Sequence, residues 1–173
     1  MSEAADGTLE TRGDGKAVVR FERRLAHPVE RVWEALTRPE ELSAWWGDAD
    51  VELAEGGEFV MHWRNVGPNG EPPPVMHARI TELDPPRLLE TSGDMHGVLR
   101  WELESAEDGG TLLRFSSTLD MPADFDTRVL AGWHWHLDAL ARALEGEPTD
   151  LVNIQASWNP IHARYEELAG QAN

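Results

Sequence analysis

The sequence Gly132-Trp133-His134-Trp135-His136 brings two imidazoles within two residues of each other in a stretch that reads as helix. Paired histidines suggest chelation, but residues two apart on a helix diverge by about 200°, so His134 and His136 cannot grip one ion. His134 and Asp138, at i and i+4, could make at most a surface pair. His136 lies about 60° from the centre of the apolar stripe described below. It therefore borders the interior, as a ligand-orienting group, an acid or base, or a hydrogen-bonded structural residue. His62 and His77 flank the turn at Asn69-Gly70 and would face each other across a symmetric hairpin. Their parity puts them on the outer face, and Pro72-Pro73-Pro74 would disturb the register. They read as solvated side chains.

No other residue pattern supports chemistry. The chain has no cysteine, which excludes a thiolate nucleophile, a zinc thiolate site and an iron–sulfur cluster. It has no GxSxG and no HExxH. The double glycines at 56–57 and 109–110 lack the strand–loop–helix context of a phosphate cradle. With 32 acidic residues, close carboxylates are expected by chance. No catalytic residue, metal ligand or cofactor is therefore predicted.

Large aromatic side chains are the unusual resource: eight Trp beside four Phe and one Tyr. Trp45-Trp46 ends a helical elbow, where one ring could close a cavity and the other anchor the elbow. Trp63, Trp101 and Phe115 fall on inward strand positions, and Trp133 and Leu137 on the inward helix stripe. Met61, Met76 and Met95 could add an adaptable lining. Together with His136, these residues (Met95 aside) form the predicted site for a small flat apolar molecule. Dense core packing is the competing use of the same side chains.

The elements that would position them follow from periodicity. Residues 1–16 carry little to bury and read as a disordered acidic tail. Val19, Phe21 and Leu25 alternate with charged residues in a first strand. Pro28 precedes a helix with Val29, Val32, Trp33 and Leu36 at i, i+3, i+4 and i+7. Pro39 opens a second, Glu40 to Trp46, with Gly47 as a left-handed cap. A meander of antiparallel strands follows from Val51 to Leu119, separated by turns at Pro68-Asn69-Gly70, Pro85-Pro86, Ser92-Gly93-Asp94 and Asp108-Gly109-Gly110. Its inward rows are Phe59, Met61, Trp63; Leu99, Trp101, Leu103; and Leu113, Phe115, Leu119. The longest helix, about Phe125 to Leu144, carries Phe125, Val129, Trp133, Leu137, Leu140 and Leu144 on one stripe. Residues 17–146 thus form one domain. Residues 147–173 form an extension with a break at Pro160 and a short helix, Ile161 to Leu168. Trp135 points to the wet side of the long helix and needs a cover. That cover is either the extension, through Trp158 and Ile161, or a second subunit.

This order is a helix-grip layout, α+β, with a curved antiparallel sheet around a long C-terminal helix. The stretches HPVERVWEALTRPEELSAWW, the Gly-Gly before FVMHW, ITELDPPRLLETS, GGTLLRF and GWHWHLDALARAL resemble the START-like (SRPBCC) superfamily. Within it they resemble the heat-shock-protein ATPase activator homologue family, over roughly Ala17 to Leu144. The resemblance implies a hydrophobic cavity for lipids, polyketides or similar small molecules. Some relatives are cyclases or hydrolases, and the founding member stimulates a chaperone. A homodimer or chaperone contact would then use the Trp135 face.

Charge narrows the partners. The formal charge of −17 repels nucleic acid and anionic lipid. No apolar run reaches the ~20 residues needed to cross a bilayer, and the first residues lack the apolar stretch of a signal peptide. The expected setting is a reducing cytoplasm. The expected function is binding of a small hydrophobic or aromatic molecule, with a cyclase, aromatase or hydrolase as the alternative.

Overall fold

Alternation of apolar and charged residues along Lys16–Leu25 (β2) buries Val19, Phe21 and Leu25 on one side and leaves Arg20, Glu22 and Arg24 in water. The same pattern recurs through a computed structural model that describes residues 5–67, 69–120 and 126–172. Among these residues, β1 (Thr8–Thr11), β2, β3 (Asp48–Val51), β4 (Glu58–His62), β5 (Val75–Asp84), β6 (Leu88–Gly93), β7 (Gly97–Ser105) and β8 (Thr111–Asp120) make one antiparallel sheet. Its order is β1-β2-β8-β7-β6-β5-β4-β3. The elbow of α1 (Val29–Thr37) and α2 (Pro39–Leu42) carries the chain from β2 to the far edge, and the meander then returns to lay β8 against β2. Helix α3 (Asp126–Leu144) crosses the inner face, burying Trp133, Leu137, Leu140 and Leu144 against Phe59, Trp101, Leu113 and Phe115. This is the α+β helix-grip fold.

Several local expectations need correction. Thr8–Thr11 is an edge strand, with Thr8 opposite Arg20 and Thr11 opposite Ala17, rather than part of a tail. Edge pairing is satisfied by backbone hydrogen bonds, so a segment with only Leu9 to bury can still be ordered. The equally polar Asp48–Val51 is a strand for the same reason. Helix α2 stops at Leu42, and the backbone N–H groups of Trp45, Trp46 and Gly47 all turn back to the Leu42 carbonyl. Gly47 is not left-handed. A Cβ there would stand 2.6 Å from the His62 carbonyl oxygen and 2.8 Å from Met61 Sδ, so glycine is needed for close approach to β4. His62 pairs with Val75, and His77 with Val60, so these histidines are not cross-strand partners. Three readings fall partly outside the described residues: the first residues of the tail, Pro68 of the turn, and Phe125 as the start of the long helix.

The extension is a 17-residue helix, α4 (Gln155–Gln171), which continues through Pro160 and packs on α3. The proline removes a single i→i−4 bond, to the carbonyl of exposed Ala156, which water can reach. Trp135 is 2 % exposed, and its indole N–H donates to Ser157 Oγ at 2.8 Å. Of the two covers expected for Trp135, the extension supplies it, by way of Ser157, so the face is not left open to a second subunit or a chaperone.

His134 is buried as well, not a surface residue. The Gly7 N–H donates to Tyr165 Oη at 2.9 Å, and that hydroxyl shares a 2.8 Å hydrogen bond with His134 Nδ1. His134 Nε2 then faces Asp138 Oδ2 at 3.5 Å. One phenol therefore ties the N-terminal segment and α4 to α3. Tyr165→Phe leaves the Gly7 N–H and His134 Nδ1 without partners and should cost about 1–3 kcal/mol. Urea unfolding would read this loss, and hydrogen exchange at Gly7 should accelerate in parallel.

Candidate functional site

Aromatic packing fills most of the space between sheet and helix. Trp101 has ring centroids 4.3 Å from Phe115, 5.9 Å from Trp45 and 5.9 Å from Trp46. Trp133 lies 4.5 Å from Phe115 and 5.5 Å from Trp46. The Trp45 indole N–H donates to the Ala35 carbonyl at 2.9 Å, which holds the elbow against this cluster. Trp45, Trp46, Met61, Met76, Trp101, Phe115 and Leu137 are all at most 2 % exposed. Their side chains are core.

The filling stops toward the N-terminal part of α3. There a cavity of about 280 Å³ is walled by Trp63, Trp133 and Met95 and floored by Gly132, with His96 and His136 as its imidazoles. Val129, Pro74 and Ile154 complete the apolar wall, while Asn65 and Arg128 stand at its polar margin. Of the residues predicted from sequence, Trp63, Trp133 and His136 line this space, and the other seven do not. Hollows of about 500 and 520 Å³ occur elsewhere. The first is edged by the ion-paired Arg20, Arg100 and Arg114, and the second by Glu30, Glu34 and Glu40.

Backbone geometry sets the two imidazoles. His96 sits in the β6–β7 hairpin, where Gly97 has φ +64° and a Cβ would meet the Thr118 carbonyl oxygen at 2.0 Å, so only glycine closes the turn. Ser117 Oγ donates to the His96 carbonyl at 3.0 Å and fixes the hairpin. The His96 ring stands 5.5 Å from Trp63 and 5.3 Å from Trp133, with interplanar angles of 61° and 66°. His136 Nδ1 lies 3.2 Å from the Trp45 carbonyl oxygen. A carbonyl oxygen can only accept, so Nδ1 carries the hydrogen and the lone pair is on Nε2.

Burial pushes both imidazoles down to about 4; Asp94 partly offsets this for His96, and the Trp45 hydrogen bond does so for His136. Both are neutral at pH 7. Because the folded values lie below the unfolded value near 6.5, the unfolded chain binds more protons between pH 6.5 and 4, and stability falls as pH drops through that window. Each histidine adds up to about 1.4 kcal/mol per pH unit. The urea midpoint should therefore drop between pH 7 and pH 5, and His96→Gln should shrink that drop. An equal drop in the variant would mean that His96 is not held neutral.

A family model described as Activator of Hsp90 ATPase homolog 1-like protein matches residues 26–145. The chain belongs to this family. The match runs from the end of β2 through α3, so it includes the elbow, the meander and most of the cavity wall. No curated protein matches the chain. Among solved structures it is similar to CalU16 from Micromonospora echinospora, with 24% identity, 96% of each chain covered and a TM-score of 0.72. It is similar also to a conserved protein of unknown function, EF2215 from Enterococcus faecalis, at 20% identity, covering 96% of this chain and 92% of that one, with a TM-score of 0.73. An AHSA1-like protein from Aeromonas hydrophila is 23% identical over 75% of this chain and 92% of its own, with a TM-score of 0.62. At these identities the likeness carries the fold.

For this member of the activator-homologue family, sequence reasoning missed His96, Gly132, Asn65 and Ile154. His96 follows a Ser-Gly-Asp turn and reads as connector, and only the sheet's curvature brings that hairpin to α3. Gly132 had a readable signal: a glycine in mid-helix weakens the helix by about 1 kcal/mol relative to alanine and so asks for a reason. No group of three or more His, Cys, Asp or Glu that could hold a metal occurs among the described residues. None of their helices is long and apolar enough to cross a membrane.

Proposed function

We propose that this family member binds a small, flat, apolar molecule in the cavity at the N-terminal part of α3 and does no chemistry on it. The observation that carries this is the cavity itself, an open-mouthed cleft at the margin of the core, walled by two indoles and by the 38 % exposed Met95. Its volume of about 280 Å³ lies at the lower edge of the ~300–1,000 Å³ usual for small-molecule sites. An apolar void of roughly 150 Å³ already accommodates benzene, so one or two fused rings suit the space better than a lipid chain. Burial of their apolar area supplies the affinity.

A cyclase or hydrolase built on His136 is disfavoured by the imidazole's environment. With its pKa at about 4, His136 is a weak base at neutral pH, far from the range in which general bases are efficient. A chaperone contact through the Trp135 face is disfavoured by α4, which covers that indole. Native mass spectrometry of the protein as purified tests the proposal directly. A retained small-molecule adduct, or uptake of bicyclic aromatic fragments at one per chain, is the expected result. A chain that carries no adduct and takes up no fragment would overturn it.

A further inference from the structure

The two inward imidazoles specify which flat molecule the cavity prefers. Each polar group buried in an apolar wall must find a partner or weaken binding, so the hydrogen-bonding character of the wall selects its guest. His136 is committed by geometry: its only N–H is spent on the Trp45 carbonyl, and what remains is an acceptor at Nε2. The His96 ring, in the same wall, makes no hydrogen bond to a described residue and stands edge-on to Trp63 and Trp133. No acidic residue lines this cavity among the described residues, and its one lining cation, Arg128, belongs to an exposed residue. The inner end therefore offers an acceptor at His136 and, at the neutral His96 ring, one donor and one acceptor, none with a full charge.

We infer that the preferred ligand is an uncharged aromatic molecule that donates a hydroxyl hydrogen to His136 Nε2, a phenol or fused-ring phenol rather than a hydrocarbon or a carboxylate. The inference rests on the binding function proposed above and names its ligand class. A phenol turns its ring to the Trp63 and Trp133 walls and its O–H to the imidazole, satisfying both kinds of surface. An aryl ether of similar shape offers His136 Nε2 only a second acceptor, so at that nitrogen two lone pairs would meet. A carboxylate would lose its hydration opposite that same lone pair, and burial keeps the imidazole from becoming the cation that could compensate.

Calorimetric titration of the full chain at pH 7 with naphthol, methoxynaphthalene, naphthalene and naphthoate tests this. Naphthol should bind about tenfold more tightly than methoxynaphthalene or naphthalene, as expected when a buried acceptor is satisfied rather than left open. Naphthoate should be the weakest. In His136→Phe the advantage of naphthol over naphthalene should vanish, while naphthalene itself still binds. The comparison among ligands on the parent protein stands even where that variant fails to fold. Equal binding of naphthol, its ether and naphthalene would overturn the hydroxyl assignment and leave the apolar cavity intact. Tightest binding of naphthoate would overturn it in favour of anion selection at the rim. Failure of all four to bind would remove the binding function on which the inference depends.

Discussion

Replacing Gly132 with leucine should abolish ligand binding while leaving the protein at least as stable as the parent. Gly132 lies in the interior of α3 without a positive φ, and a Cβ placed on it meets nothing within 4 Å. Its missing side chain contributes to the cavity, since it forms part of the lining beside Trp133 and His136. Gly132→Ala should already add about 0.5–1 kcal/mol of stability through reduced chain entropy. A leucine there would add apolar contact with the cavity wall. Affinity for a bicyclic aromatic should fall at least a hundredfold in Gly132→Leu, and the urea midpoint should hold or rise. Retained affinity would mean that ligand does not enter beside this helix. A collapse in stability would mean that the space is not open as the geometry requires.

The opposite balance is expected for Trp101→Ala. This indole is 1 % exposed and touches Trp45, Trp46, Phe115 and Trp133, yet it does not line the cavity. Removing it opens a void among rings that cannot collapse together, at a cost of about 3–5 kcal/mol. Total stabilities of domains this size run to about 5–15 kcal/mol, so a substantial unfolded population is within reach at moderate temperature. Thermal and urea unfolding would measure the loss. A change below about 1 kcal/mol would show that the aromatic cluster repacks freely, and the rigidity assumed for the cavity wall would go with it.

The two substitutions separate what a sequence can and cannot say here. Period-2 runs such as Phe59-Val60-Met61 and Leu99-Arg100-Trp101 name the inward side chains because a strand has only two faces, and both rows are buried as expected. The stripe Trp133, Leu137, Leu140 and Leu144 likewise identifies the buried face of α3. Edge strands β1 and β3 were not legible, since they are held by backbone pairing in which side chains take little part. Nor was Gly47 legible as a contact glycine, because the carbonyl of His62 that demands it lies on another strand.

From the sequence by itself came the layering of an α+β sheet around one apolar helix, together with the absence of thiol, zinc-thiolate and phosphate-loop chemistry. These follow from local periodicity and residue type, which do not depend on distant partners. Only the tertiary structure decided which inward aromatics fill the core and which face a void. That distinction turns on how far α3 descends onto the sheet, and on a hairpin that brings His96 to its side. It also decided that Trp135 is covered by α4, because two helices separated by a loop meet only when the chain has folded. Packing is a property of summed volumes across elements, and no linear pattern records where that sum falls short.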